Sequence, residues 1–171
     1  MSDSLVNGRK FRALNVMDDY NREMLTMEIA SSIPAARVIR VLDHLKESRG
    51  LPERIRVDNG PEYISKALAS WAERNKVELV FIEPGKPTQN SLVERLNGTC
   101  RRELLNANWF FHLDQVRELA SEWMDEYNFE RPHAGLGDRT PVEFSKWRQS
   151  LSAGGKALSL KKKNTKENTL L

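Results

Sequence analysis

Residues 55–97 decide the fold: Ile55-Arg56-Val57-Asp58-Asn59-Gly60-Pro61, then 62–76, then Val77-Glu78-Leu79-Val80-Phe81-Ile82, then 83–89, then Asn90-Ser91-Leu92-Val93-Glu94-Arg95-Leu96-Asn97. The two apolar runs are short and rich in branched side chains, which suits strands. Between them Asn59-Gly60-Pro61 turns the chain, and Pro61 is expected to open a helix running to about Asn75. Glu83-Pro84-Gly85-Lys86-Pro87 cannot be helical and ends the second run. Thr88 or Ser91 can cap the next helix. On it Leu92, Leu96, Cys100 and Leu104 form an apolar stripe facing the sheet, while Asn90, Glu94, Asn97 and Arg101 share a polar one. The stretch therefore reads strand, helix, strand, helix.

Upstream, Asn7-Gly8 is a two-residue hairpin signal. Apolar and polar residues roughly alternate through Lys10-Phe11-Arg12-Ala13-Leu14-Asn15-Val16, as in a half-buried strand, and a second alternating run spans Asn21 to Ala30. Ser2 to Val6 is the tail end of a first strand. Pro34 opens a helix carrying Ala35, Val38, Leu42 and Leu45 on one face, and Gly50 stops it. Downstream, Leu113, Val116, Ala120, Trp123 and Tyr127 mark one face of another helix. Glu130 to Gly137 is irregular, and Thr140-Pro141 begins a last short helix. From Ser152 onward Gly, Ser, Lys, Asn and Thr dominate, so the tail is expected to be disordered. Three strands, helix, strand, helix, strand, helix implies a mixed α/β sheet with flanking helices.

Composition excludes some classes and leaves others open. No run approaches the ~18 apolar residues of a membrane span, and Met1 to Gly8 has no apolar signal core. One cysteine, Cys100, rules out an internal disulfide and fits a reducing cytoplasm. The net charge is +3, but residues 151–171 hold five lysines against Glu167, leaving −1 for the rest. Any grip on nucleic acid must then come from placed residues and the basic tail, not from bulk charge.

Two carboxylates stand where chemistry is expected. Asp58 sits at a strand end, where the chain turns away. Glu94 lies on a polar helix edge beside Asn and Arg, where a carboxylate stays ionised and able to bind metal. Each alone reads as a solvated residue, and Arg95, Arg101 and Arg102 alone read as surface pairs for Glu94 and Glu103. The combination is more specific. Thirty-five residues separate Asp58, which opens Asp58-Asn59-Gly60, from Glu94, which lies in Gln89-Asn90-x-x-x-Glu94-Arg95-x-Asn97.

This resembles the last two members of the D,D(35)E triad of bacterial insertion-sequence transposases with a retroviral-integrase-like core. Val16-Met17-Asp18-Asp19-Tyr20-Asn21-Arg22-Glu23 is similar to that family's strand-two segment. Tyr127-Asn128, Arg131-Pro132-His133, Leu136-Gly137 and Thr140-Pro141 are similar to its C-terminal signature. The resemblance spans about Ser2 to Trp147. It implies a ribonuclease-H-like fold with its first strand truncated, an integrase-like catalytic core over 1–108, a helical extension over 109–150 and a basic tail over 151–171.

It further implies DNA strand transfer at two Mg²⁺ ions, with Asp58 and Glu94 as catalytic metal ligands. Lys86, Asn90, Arg95, Asn97 and Arg101 become candidates for touching DNA or orienting those ligands. The implied partners are DNA and either a second copy or a full-length transposase. The family's first aspartate stands in a Trp-x-x-Asp pattern in the first strand, a position Met1 is expected to lie past. Asp3 falls too late in the strand and lacks the tryptophan, and Asp18 lies in a segment the family does not use for metal. Two readings thus remain open. One is a strand-transferase core; the other is an inactive fragment that binds DNA or full-length transposase. A third, an unrelated ribonuclease-H-like nuclease, is disfavoured by the C-terminal signature.

Overall fold

The computed structural model describes residues 1–83, 85, 90–154 and 168–170, without side-chain detail at 152–154 and 168–170. Its strands are β1 (Ser2–Ser4), β2 (Lys10–Asp18), β3 (Met24–Ala30), β4 (Arg54–Val57), β5 (Glu78–Phe81) and β6 (Asn168–Leu170). Its helices are α1 (Ala35–Arg49), α2 (Lys66–Asn75), α3 (Ser91–Cys100), α4 (Leu113–Asp125) and α5 (Pro141–Gly154). Single π-helical turns, Arg101–Leu105 and Glu126–Glu130, extend α3 and α4.

The sheet runs β3, β2, β6, β4, β5, with β1 also on β2. Arg12 pairs with Ser2 on one side and Ala30 on the other, and Met17 pairs with Leu170 on one side and Met24 on the other. Hence β1 and β6 lie end to end on the edge of β2 opposite β3. Met1 extends β1 by one step, exchanging hydrogen bonds with Ala13. Leu14, Asn15 and Val16 have no strand partner on that edge among the described residues.

Two apolar cores sandwich this sheet. Phe11, Ala13 and Met17 point to one side, against Val93, Leu96 and Cys100 of α3 and Val116, Ala120 and Trp123 of α4. Leu14 and Val16 point to the other, against Val38 and Leu42 of α1 and Leu68 and Trp71 of α2. Both faces of β2 are covered, so from Ala13 onward it is buried throughout rather than half-buried as its alternation suggested. Residues 109–150 have no core of their own on the α4 side, because α4 shares the α3 cluster and Arg117 Nη2 donates to Ile29 O at 3.1 Å.

Several elements differ from the expectation. Pro61 does not begin a helix: residues 61–64 form turns on the Gly60 carbonyl, and α2 starts at Lys66 with Ser65 Oγ accepting from Leu68 N at 3.2 Å. Val93, not Leu92, is fully buried beside Leu96 and Cys100 on α3. Of the suggested caps of α3, Ser91 is the first helical residue, with Asn90 at the cap position, and Thr88 lies outside the described residues. The tail also differs at both ends: α5 is long and reaches Gly154, and Asn168–Leu170 enters the sheet.

Candidate active site

Asp58 follows the last residue of β4, so its side chain leaves the sheet at the strand's carboxyl end. Its Oδ1 accepts from Gly60 N at 2.7 Å, closing a tight turn. A Cβ at Gly60 would lie 2.8 Å from that oxygen, so a side chain there would push the Asp58 carboxylate aside. Asn59 Nδ2 donates to Ile82 O at 3.0 Å and fixes the turn to the end of β5. Asp58 Oδ2 is left without a partner among the described residues. Beside it, burial above all, reinforced by the charges of Asp58 and Glu62, pushes the Tyr63 phenol well above its usual range. Tyr63 therefore stays a neutral donor. Glu62 is held by Arg12 of β2 at 2.7 Å.

Strand register locates what faces Asp58. Arg56 pairs with Leu170, and Leu170 with Met17. Two residues on along β4 is Asp58, and two back along antiparallel β2 is Asn15. The two stand level across a space one strand wide, about 10 Å between backbones. Asn15 is buried and donates to Asn97 Oδ1 of α3 at 2.8 Å. Glu94 lies one helical turn before Asn97 on the same side, and Asn90 one turn earlier again. Glu94 is exposed, with no hydrogen bond or ion pair among the described residues. Asn15 Oδ1 and Asn90 Oδ1 are buried without partners among the described residues. Such orphaned acceptors are rare in folded proteins and mark a place where a donor, water or cation belongs.

Of the predicted residues, Asn97 touches Asn15, Glu94 and Asn90 share Asn97's side of α3, Asp58 stands level with Asn15 a strand's width away, and the others lie apart. Arg101 lies toward β1, with Nη2 donating to Ser2 O at 2.8 Å and Nη1 at 3.4 Å from Asp3 Oδ2. Arg95 turns to the opposite side of α3, toward a cleft that Arg131 and His133 also line. Lys86 lies outside the described residues. Asp3 is engaged by Arg101, and Asp18 is buried in the β2–β3 turn, where its Oδ1 accepts from Tyr20 N at 2.8 Å. Asp18 is at the end of β2 away from Asn15 and so away from Asp58. Among the described residues no cluster of three or more His, Cys, Asp or Glu converges on one point.

Asn15 was not foreseen as part of the site. Its one signal was an amide among Phe11, Ala13 and Met17, on a face that is otherwise apolar.

Both the sequence and the fold are matched in known proteins. Two models, each described as an integrase core domain, match residues 3–87 and 75–141. The chain belongs to the integrase-core family. That family comprises polynucleotidyl transferases, including insertion-sequence transposases. The uncharacterized 39.2 kDa protein of insertion element IS476 from Xanthomonas euvesicatoria is 41% identical over 143 residues, covering 84% of this chain and 41% of that protein. The 31.7 kDa protein of insertion element IS407 from Burkholderia multivorans is also 41% identical, covering 84% of this chain and 52% of its own length. The chain therefore spans about half or less of these relatives. The HTLV-2 integrase catalytic core, solved with magnesium in a dimeric form, superposes with a TM-score of 0.64 at 17% identity, covering 84% of this chain and 90% of that one. The integrase-core chain also shares its fold with the simian T-cell lymphotropic virus intasome, at a TM-score of 0.69 and 21% identity over 84% of this chain and 51% of that one. Among the described residues no helix is long and apolar enough to cross a membrane.

Proposed function

We propose that this chain supplies Asp58 and Glu94 to a metal-dependent centre that cuts and joins DNA strands during transposition. The observation that supports the reading is the register that sets Asp58 level with Asn15, with Glu94 one helical turn from Asn15's partner Asn97 and the buried Asn15 and Asn90 Oδ1 atoms unpaired among the described residues. The donor set is all oxygen, which suits a hard divalent cation such as Mg²⁺. Asp58 would offer Oδ2 and Glu94 its whole carboxylate. A cation bound there would supply Lewis-acid activation of a water or a DNA 3′-hydroxyl and charge stabilisation at the departing oxygen. The chain's own residues do the positioning. The Gly60 amide fixes Asp58, Asn97 ties the Glu94 helix to β2, and neutral Tyr63 adds no charge to a site that must receive phosphate.

DNA is the proposed partner, and a second copy or a longer transposase the proposed protein partner, in keeping with the dimeric form of the HTLV-2 core. We also infer that residues 1–171 alone transfer strands weakly, since among the described residues no third carboxylate joins Asp58 and Glu94. DNA binding without efficient transfer is then the activity expected of this polypeptide.

The test is calorimetric titration of the full chain with Mg²⁺ and Mn²⁺, alongside joining assays on labelled duplexes. Asp58→Asn and Glu94→Gln should each weaken cation binding on the order of tenfold or more, as loss of a ligand does. If the wild-type chain binds neither cation, the site assignment fails. If it joins DNA ends efficiently with Mg²⁺ and Asp58→Asn does not, the inference of weak transfer is wrong.

A further inference from the structure

The segment Arg131-Pro132-His133-Ala134-Gly135 is not used by the carboxylate centre, yet it folds back against α3. Together with the β2–β3 turn it closes a cleft of about 250 Å³. Met17, Leu92 and Leu96 contribute its apolar part, while Arg22, Arg95 and Arg131 bring guanidinium groups to it. Among the described residues no carboxylate lines it.

The three arginines are not equivalent. Arg131 is neutralised by Glu103 at 2.6 Å and Glu126 at 2.8 Å, and lies over the rings of Trp123 and Tyr127. Among the described residues, neither Arg22 nor Arg95 has a carboxylate partner. Arg22 also adopts φ +61°, a conformation uncommon for a residue with a side chain. Its guanidinium lies against Gly135, where a Cβ would stand 2.1 Å from Nη1. A strained backbone and a missing side chain thus both serve to seat one free cation at the cleft, and such strain concentrates at functional positions.

The surroundings register that field. Burial first, and then the charges of Arg22 and Arg131, hold the His133 imidazole below its ordinary value despite the Tyr127 carbonyl 3.4 Å from Nε2. His133 packs edge-on against Tyr127, at 4.7 Å between centroids, and so helps wall the cleft without adding charge. The volume lies below the ~300–1,000 Å³ of typical small-molecule pockets, but it accommodates a tetrahedral oxyanion. Arginine forks match phosphate oxygens in geometry as well as charge.

We propose that this cleft is a phosphodiester subsite, in which Arg22 and Arg95 grip one backbone phosphate of a DNA strand passing the Glu94 helix. The proposal rests on the DNA reading above and extends it to the C-terminal signature. Because Arg95 adjoins Glu94, a phosphate held here sets the register of the strand relative to the carboxylates. A side chain at Gly135 would displace the Arg22 guanidinium, the movable end of that side chain, from its seat at the cleft.

The test uses the full chain and a fluorescein-labelled duplex in anisotropy titrations over a series of salt concentrations. The Arg22→Gln, Arg95→Gln double variant should bind about tenfold more weakly at low salt. Its slope of log K against log salt should be shallower by about one, the signature of one lost phosphate contact. Gly135→Ala, which leaves both arginines in the sequence, should reproduce the Arg22→Gln defect. Arg95→Gln, at an exposed position, gives a readout even if the turn variants misfold by circular dichroism. A folded double variant with wild-type affinity and slope would overturn the proposal. So would loss of inorganic phosphate binding with DNA binding intact, which would assign the cleft to the free anion. A wild-type chain that binds no DNA at all would instead defeat the functional reading on which the proposal stands.

Discussion

Asn128 shows how one amide can hold a turn in place of a strand. Its Oδ1 accepts from Met24 N at 2.8 Å and its Nδ2 donates to Met24 O at 2.9 Å, all buried. The side chain thus supplies the start of β3 with the pair of bonds that a neighbouring strand would give. Asn128→Ala leaves a buried N–H and a buried C=O unsatisfied, at ~1–3 kcal/mol each. A loss of about 2–4 kcal/mol is expected, read as a lower urea midpoint with an unchanged m-value. A midpoint within error of wild type would show that water replaces the amide without cost. Asn128 was legible in the sequence as part of a motif but not for this role, because an Asn at a helix end reads equally well as a solvated residue. The same ambiguity hid Asn15 and Arg22, whose roles depend on partners 82 and 113 positions away. Asp58 and Glu94 were legible only as a pair, through spacing and flanking residues.

At the level of elements, periodicity located nearly every strand and helix, and local turn chemistry set their limits. The start of α2 is the clearest case. Pro61 has the right φ for a first helical residue, but Gly60 O already accepts from Tyr63 N and Ile64 N, so the chain makes a separate turn before the helix. Ser65 then caps α2 by accepting from Leu68 N. Removing that acceptor leaves an orphan amide in the first turn, so Ser65→Ala is expected to destabilise the fold by about 1 kcal/mol. The effect should appear in equilibrium denaturation, and Ser65→Asp should restore it. A Pro61→Ala variant should cost less than Ser65→Ala, because Pro61 is outside the helix; the reverse order would return the helix start to Pro61. The burial of β2 on both faces had no such local signal. It follows from α1 and α2 on one side and α3 and α4 on the other, contacts that pair residues far apart in sequence.

At the scale of the whole molecule, the sheet depends on its last strand. β2 and β4 are not hydrogen-bonded to each other; β6 lies between them, antiparallel to β2 and parallel to β4. Without it the β2–β3 and β4–β5 halves would meet only through the packed helices, and Met17, Arg54 and Arg56 would present unpaired backbone in the middle of the molecule. An open edge in a sheet centre costs ladder bonds and admits water or a foreign strand. The composition of the tail concealed this, because the lysine-rich stretch before Asn168 dominates any reading of residues 151–171. A short strand can be held by ladder bonds alone, without a core of its own. Deleting 168–171 should therefore lower stability by ~1–3 kcal/mol, the net worth of a few hydrogen bonds. Hydrogen exchange should localise the change, with faster exchange at Met17, Arg54 and Arg56 and unchanged rates in Asp18, whose amide donates to Glu23 O, and in α1. Because Asp58 stands level with Asn15 just beyond β6, the same deletion should also loosen cation binding while leaving the Arg22 cleft intact. Equal stability and equal exchange in the deleted chain would mean that the two halves are joined by their helices alone.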